Sequence, residues 1–282
     1  MPNSDFLAPA ELEQACGLLA DPALEPLAIA GGTDVMVRFN RHKRRRRETL
    51  VFLGKLGLDY LREQDGQVLV GACAPLSEVA ASPLIRAKLP LLAQACGEMA
   101  SPAVRNAATL GGNVVNNSRH ADGVAALTAL DATVVVASTR GERSLAMAEF
   151  SALPKKYKLA HGGVVKHFAV APLEAEEKWA WEKLRQRQGE SRSIVSVSMR
   201  ARMDGGKCAA LRLVIGCMAA NPFVSAAASR LMEGQEPSEA LINQVAQEVL
   251  GETSAVSDAR ASAWYRERAT AVLVRRVLSQ LN

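Results

Sequence analysis

Two glycine pairs are the residues in this sequence whose types and spacing could do chemistry. Gly31-Gly32 stands in Ile29-Ala30-Gly31-Gly32-Thr33-Asp34, and Gly111-Gly112 stands in Ala108-Thr109-Leu110-Gly111-Gly112-Asn113. Each pair follows a short run of apolar or small residues. Glycine lets the backbone adopt positive φ and come close to a ligand, so that successive N–H groups converge on an anion. A pyrophosphate, with its negative charge and several acceptor oxygens, is a group that two such loops could hold. The hydroxyls of Thr33 and Thr109 would help, and no lysine would be needed. Each pair by itself also reads as a tight turn. Neither matches G-x-G-x-x-G or the P-loop pattern, which disfavours a Rossmann site or a nucleotide triphosphatase.

The elements that must position these loops follow from periodicity and chain breakers. The pattern predicts a helix from Pro9 to Leu19, with Leu12, Ala15, Cys16 and Leu19 on one face. A strand at Leu27–Ala30 stops at the first glycine pair, and a helix starts at Val35 with Thr33 or Asp34 as its cap. Strands are expected at Leu50–Leu53 and Gln67–Gly71, then helices at Leu76–Ala81 and Pro83–Met99. Ser101-Pro102 reads as a turn, Gly123–Leu130 as a helix and Ala132–Ser138 as a strand. The texture then changes: Val164–Ala171, Glu177–Gln186, Ser193–Met203 and Cys208–Ala219 are strand-like runs that predict a β-meander. Helices at Pro222–Met232, Ser238–Leu250 and Arg260–Leu281 complete the chain.

The length of 282 residues exceeds what one compact core usually holds, so two domains are expected, with a boundary at Ala171-Pro172. A net charge of +5 slightly favours acidic partners or anionic cofactors and does not by itself indicate nucleic acid. The chain opens on polar residues, without a secretory signal, and its apolar runs fall short of the ~20 residues of a membrane span. A soluble, cytoplasmic protein is the expectation. The cysteines Cys16, Cys73, Cys96, Cys208 and Cys217 are scattered among apolar neighbours with no C-x-x-C pair. That reads as reduced thiols and disfavours an iron–sulfur cluster held by this chain. The dense basic run Arg38 to Arg47 reads as a solvated face, or as a contact for an acidic patch on a partner. With Phe39 as the one nearby aromatic, it lacks the stacking platforms of a nucleic-acid site.

Taken together, in this order and separation, the two loops resemble those of the FAD-binding medium subunits of molybdenum-containing hydroxylases, the xanthine dehydrogenase and carbon monoxide dehydrogenase flavoprotein type. The resemblance rests on Ala30-Gly31-Gly32-Thr33-Asp34, on Ser101-Pro102-Ala103-Val104-Arg105-Asn106 and on Thr109-Leu110-Gly111-Gly112-Asn113. It continues through Asp122 and Ala126-Leu127-Thr128-Ala129-Leu130-Asp131-Ala132. More faintly it reaches Trp181-Glu182-Lys183 and Leu211-Arg212-Leu213-Val214-Ile215-Gly216.

The resemblance implies an α+β fold. A two-lobed FAD-binding domain of the vanillyl-alcohol-oxidase-like (PCMH-type) class would cover residues 1–172, with lobes of about 1–56 and 57–172. An antiparallel β-meander with a helical bundle would cover 173–282. The first pyrophosphate loop would comprise Ala28, Ile29, Ala30, Gly31, Gly32, Thr33, Asp34 and Val35, and the second Thr109, Leu110, Gly111, Gly112 and Asn113. Asn116 would join them. Met99 would stand against the flavin, Asp122 would bond ribityl or ribose hydroxyls, and Lys183 would approach the isoalloxazine edge. On the residues alone, Asp122 also reads as the cap of the following helix, Lys183 as a strand lysine facing water, and Met99 as core filling.

A departure from the family pattern is Asn116-Asn117-Ser118-Arg119-His120-Ala121-Asp122, where Arg119 and His120 add one fixed and one titratable positive charge. They are expected to stabilise reduced, anionic flavin, unless they point into solvent or towards a partner. The implied partners are a small subunit with [2Fe–2S] clusters and a large molybdopterin subunit, with NAD, a quinone, oxygen or a carrier as acceptor. No side chain of this chain needs to serve as acid or base. A free-standing flavin oxidase and a basic scaffold without FAD are the other classes the sequence leaves open.

Overall fold

A computed structural model of the chain describes residues 6–41, 48–188 and 190–282; most of the basic run, His42 to Arg47, lies outside them. Three sheets organise the rest in a mixed α/β fold. The first is small and parallel, in the order β1 (Phe6–Leu7), β3 (Thr49–Phe52), β2 (Pro26–Ile29), with α1 (Leu12–Ala20) and α2 (Val35–Arg41) in the connections. Helix α1 starts at Leu12 and not at Pro9, because Glu11 is still extended (φ −112°, ψ 139°) and serves as its N-cap.

The second sheet is antiparallel throughout, in the order β4 (Leu61–Gln64), β5 (Gln67–Gly71), β8 (Val164–Val170), β6 (Thr133–Ser138), β7 (Gly141–Ala146). Between β5 and β6 the chain forms α3 (Leu76–Ala81), α4 (Pro83–Lys88), α5 (Pro90–Gly97), α6 (Pro102–Ala107), α7 (Leu110–Asn116) and α8 (Asp122–Ala129). Helices α9 (Met147–Ala152) and α10 (Lys155–Lys158) precede β8. The single helix expected over Pro83–Met99 is two, because Pro90 has no N–H to continue the ladder and Leu89 before it leaves helical geometry (φ −136°, ψ 53°). The strand at Val164 is likewise not part of the meander. It pairs Val170 with Val68 and Phe168 with Val134, inside this second sheet.

The third sheet runs β12 (Phe223–Val224), β11 (Lys207–Gly216), β10 (Val195–Asp204), β9 (Glu177–Leu184), antiparallel in every pairing. Helices α11 (Ala226–Met232), α12 (Glu239–Glu248) and α13 (Ala263–Leu278) follow, packed on one another and on this sheet. The helix expected from Pro222 starts at Ala226, where Ser225 accepts a hydrogen bond from the Ala228 N–H; Phe223 and Val224 are spent on an edge strand. Helix α13 starts at Ala263 behind its cap Ser262, later than the expected Arg260. Among the described residues no helix is long and apolar enough to cross a membrane.

Helix α8 joins the second and third sheets. All eight of its residues are buried, with α5, α7 and α9 on one side and β10, β11 and β12 on the other. Strand β10 shows how the sequence allows this. Val195, Val197, Met199 and Ala201 face the core shared with α13, while Ser196, Ser198 and Arg200 alternate onto the other face. Small serines let the helix come close, and the Ser198 hydroxyl donates to the Ala125 carbonyl at 3.1 Å. The last carbonyls of the helix have no intrahelical partner and need donors. Arg212 Nε donates to Thr128 O at 2.7 Å, and Arg200 Nη1 to Leu130 O at 3.1 Å.

Arg200 also holds Glu177 through two bonds of 2.7 and 2.8 Å in a half-buried site. Arg200→Ala is expected to lower the unfolding free energy by about 2–3 kcal/mol, in the range for hydrogen bonds to charged groups. Exposed Arg202 is the control, and its replacement by alanine should stay within about 0.5 kcal/mol. Denaturant midpoints measured side by side check this.

Candidate functional site

The three sheets and their connections enclose a cleft of about 1060 Å³, at the large end of the roughly 300–1,000 Å³ usual for ligand pockets. Both glycine segments line it, as do Met99, Asp122 and Lys183. Of the residues expected from the sequence to bind the cofactor, all but Ile29 and Leu110 lie on its wall. Those two are buried: Ile29 packs behind Gly32, and Leu110 sits in the core beside Gly123.

The first glycine loop offers its backbone to the cleft. It leaves β2 at Ile29 and turns into α2, with Gly32 at φ +69°, which a side chain tolerates poorly. The N–H groups of Gly31, Gly32, Thr33 and Asp34 have no partner among the described residues. Unpaired N–H groups in succession are a nest for an anion. Gly31 serves packing instead. A Cβ there would lie 1.7 Å from the Ala107 carbonyl oxygen, so its bare backbone lets α6 pack against the loop. Asp34 is exposed and pairs with Arg38 at 3.2 Å.

The second pair does not work as a loop of free N–H groups. It lies in the first turn of α7, and its donors are engaged. Leu110 N–H donates to Ala74 O, Gly111 N–H to Ala72 O, Gly112 N–H to the Thr109 hydroxyl oxygen, and Asn113 N–H to Thr109 O. Gly111 is a contact glycine, since a Cβ would come within 2.6 Å of Ala72 O, whereas Gly112 is exposed to the cleft. What this segment presents instead is side-chain chemistry. The Thr109 hydroxyl keeps its own proton to donate, Asn116 lies on the wall, and Asn113 Oδ1 is a buried acceptor with no partner. Gly123 makes room for that amide, because a Cβ there would stand 2.6 Å from Asn113 Oδ1.

At the far wall Asp122 and Lys183 meet each other. Lys183 Nζ lies 2.6 Å from Asp122 Oδ2 with both side chains almost wholly buried, and it also donates to Glu98 O at 3.1 Å. The Ser193 hydroxyl donates to Asp122 Oδ1 at 2.6 Å. Burial pushes the Asp122 carboxyl above the usual carboxylate range, while Lys183 and Ser193 pull it back. Asp122 opens helix α8 as its first residue, with Ala121 as the N-cap. Lys183 is not a strand lysine facing water. Nearby, Arg105 Nη1 donates to the carbonyls of Met99 and Ala100 at 2.8 and 2.9 Å. This holds Ala100 at φ +45° and Met99 against the cleft.

The expectation that Arg119 and His120 bring one fixed and one titratable positive charge to the flavin needs correction. Burial, aided by Arg260, Arg266 and Arg192, pushes the His120 imidazole down to about 4 against a hydrogen bond to Ser193 that favours protonation, so the ring is neutral at pH 7. Arg119 is not on the cleft wall. Besides Arg38, Lys158 and Lys183, the wall carries Arg187, Arg192 and Arg260, which the sequence does not single out. They lie in loops far from the glycine pairs, and nothing in their local sequence marks them.

A cleft with an anion nest and a buried charge pair on its wall is suited to a large anionic cofactor, and it lies in a fold shared with solved oxidoreductases. The chain superimposes on carbon monoxide dehydrogenase from Hydrogenophaga pseudoflava with a TM-score of 0.92 at 24% identity, over 99% of this chain and 97% of that one. It is 30% identical over 240 residues to the nicotinate dehydrogenase FAD-subunit of Eubacterium barkeri, covering 83% of this chain and 81% of the relative. It is 28% identical to the xanthine dehydrogenase FAD-binding subunit of Escherichia coli O157:H7, over 96% of this chain and 93% of that one. Residues 2–172 match the FAD binding domain in molybdopterin dehydrogenase, and residues 179–281 match the CO dehydrogenase flavoprotein C-terminal domain. The chain therefore belongs to the FAD-binding subunits of the molybdopterin dehydrogenase family and is an FAD-dependent oxidoreductase subunit.

These outcomes follow from the geometry. Gly31→Ala and Gly111→Ala should lower the melting temperature of the flavin-free chain by several degrees, because each Cβ meets backbone. Gly112→Val should leave that temperature within a few degrees and weaken FAD binding at least about tenfold, because its side chain would crowd the cleft beside the Thr109 hydroxyl. Calorimetry and flavin titration on the same variants separate the two effects. Lys183→Ala should cost about 3–5 kcal/mol even without flavin, since it leaves Asp122 buried and unpaired. The double change Asp122→Leu with Lys183→Met should recover most of that loss in denaturant unfolding.

Proposed function

We propose that this chain is the FAD-carrying electron-transfer subunit of a heteromeric molybdenum hydroxylase. It would take electrons from [2Fe–2S] clusters on a small partner subunit, fed by a large molybdopterin subunit, and pass them to an external acceptor such as NAD, a quinone, oxygen or a carrier. The observation that carries the cofactor part is the row of unpaired N–H groups at Gly31, Gly32, Thr33 and Asp34 on the wall of a cleft large enough for a dinucleotide. FAD, when bound, supplies the one- and two-electron redox chemistry.

The chain's own residues bind and orient. The first loop would hold the pyrophosphate with Ala28, Ala30 and Val35 beside it. Thr109, Asn113 and Asn116 would bond hydroxyls or phosphate oxygens through their side chains, and the orphaned Asn113 Oδ1 supports that role. Met99 would contact the flavin, on a turn fixed by Arg105 and Lys183. Asp122 and Lys183 are largely satisfied by each other and by Ser193 and Glu98, so their contribution would be to shape the wall and to offer what hydrogen-bonding capacity remains.

The reading extends to the architecture and the setting. The small parallel sheet and the five-stranded antiparallel sheet support a two-lobed domain of the vanillyl-alcohol-oxidase-like (PCMH-type) class over 1–172. The third sheet with its helices would form the domain over 173–282. Five cysteines, none in a disulfide, support a reducing, cytoplasmic setting. The names of the relatives, FAD-subunit and FAD-binding subunit, support a chain that works inside a complex.

The test is an absorption spectrum of the purified chain, with released flavin identified by chromatography. Stoichiometric FAD without turnover of organic substrate by the isolated chain is the expected result. A folded chain that takes up no FAD when supplied with it would overturn the cofactor reading. Substrate turnover by the isolated chain would replace the relay with a free-standing oxidase.

A further inference from the structure

His120 is the one titratable side chain on the cleft wall whose ring geometry defines what a ligand would meet there. Its Nδ1 lies 2.9 Å from the carbonyl oxygen of Ser193. A carbonyl only accepts, so Nδ1 carries the proton and donates it. Cys217 donates its S–H to the same oxygen at 3.4 Å, and its sulfur lies 3.3 Å from Nδ1. The carbonyl is in turn immobile, because Ser193 is fully buried and its hydroxyl is fixed to Asp122. The backbone N–H of His120 is held by the Ser118 hydroxyl at 3.3 Å.

With Nδ1 so occupied, the neutral ring has its lone pair at Nε2. That atom has no protein partner among the described residues and is not among the sealed, unpaired buried atoms, while the residue lines the cleft. The groups around the ring are Arg192, Arg260 and Arg266, the Cys217 thiol, and Asp122 through Ser193. The three guanidiniums add to burial in keeping a proton off Nε2. The wall therefore presents a bare acceptor among donors, an arrangement suited to a neutral N–H or O–H and not to a phosphate.

We propose that His120 is a positioning residue that accepts a hydrogen bond through Nε2 from an N–H or O–H donor of the bound dinucleotide. On that account it orients the cofactor and contributes no charge to it. This rests on the FAD reading above.

The test uses the full chain freed of flavin and then titrated with FAD, for wild type, His120→Gln and His120→Phe. At pH 7.5 the phenylalanine variant should bind FAD about 5- to 10-fold more weakly, the effect of losing one hydrogen bond. Glutamine, which can offer a carbonyl in place of Nε2, should restore binding to within about threefold of wild type. Between pH 6 and 8 the flavin midpoint potentials of wild type and the glutamine variant should run parallel. As pH falls towards 4, wild type alone should lose affinity, because protonation of Nε2 removes the acceptor.

Phenylalanine binding as tightly as wild type, or glutamine binding as weakly as phenylalanine, would overturn the proposal. So would a potential difference between wild type and the glutamine variant that closes as pH rises from 6 to 8, which is the mark of a cationic histidine. Should His120→Phe lack a melting transition, the comparison of wild type with glutamine decides alone. Failure of every protein, wild type included, to bind FAD would count against the cofactor reading and is distinguishable from these outcomes.

Discussion

The buried pair of Asp122 and Lys183 is the contact on which the site depends. Two unit charges lose their hydration when they are enclosed, and only close approach and further hydrogen bonds offset that cost. Here the 2.6 Å contact is backed by the Ser193 hydroxyl on the carboxylate and the Glu98 carbonyl on the ammonium. Asp122 opens the fully buried helix α8, Lys183 is the penultimate residue of the outer strand of the third sheet, and Glu98 begins the turn that carries Met99. One pair thus fixes three segments of wall in mutual register. A carboxylate committed in this way is poorly placed to be a freely offered ligand group, which shifts its role from direct recognition towards building the cleft.

The two glycine pairs look equivalent in sequence and are not equivalent in space. In each, one glycine is small because another backbone lies against it: Gly31 against Ala107, and Gly111 against Ala72. The others differ. Gly32 takes a left-handed conformation in a cleft-lining loop whose N–H groups have no partner among the described residues, whereas Gly112 sits in a helical turn whose N–H groups already have acceptors. One segment can offer main-chain donors to an anion, and the other offers the side chains of Thr109, Asn113 and Asn116. The two are complementary because of this difference.

Charge at the cleft follows the same division between local sequence and assembly. A histidine beside an arginine suggests two cations, yet His120 is wedged against the Ser193 carbonyl and among other guanidiniums, and it is neutral. Among the positive groups that do reach the wall, Arg187, Arg192 and Arg260 come from the loop after β9 and the segment before α13. Their convergence depends on how the third sheet and its helices dock against α8.

The sequence by itself determined the types of most of the longer elements, the two glycine segments, and, through their shared register with Asp122 and Lys183, the family and cofactor. These are short-range properties: a period of two or 3.6, a capping serine, a glycine where a side chain cannot fit. Pro90 is of the same kind, a local and sufficient reason for the helix to break at Leu89. Only the tertiary structure decided that β8 joins the second sheet, because strand pairing is chosen by partners distant in sequence. Only it decided that the N–H groups of Gly111 and Gly112 are already bonded, that Lys183 meets Asp122, and that His120 is uncharged. Each of those depends on which atoms lie within about 3 Å once the sheets close on α8, since hydrogen bonds and burial fall off within that distance.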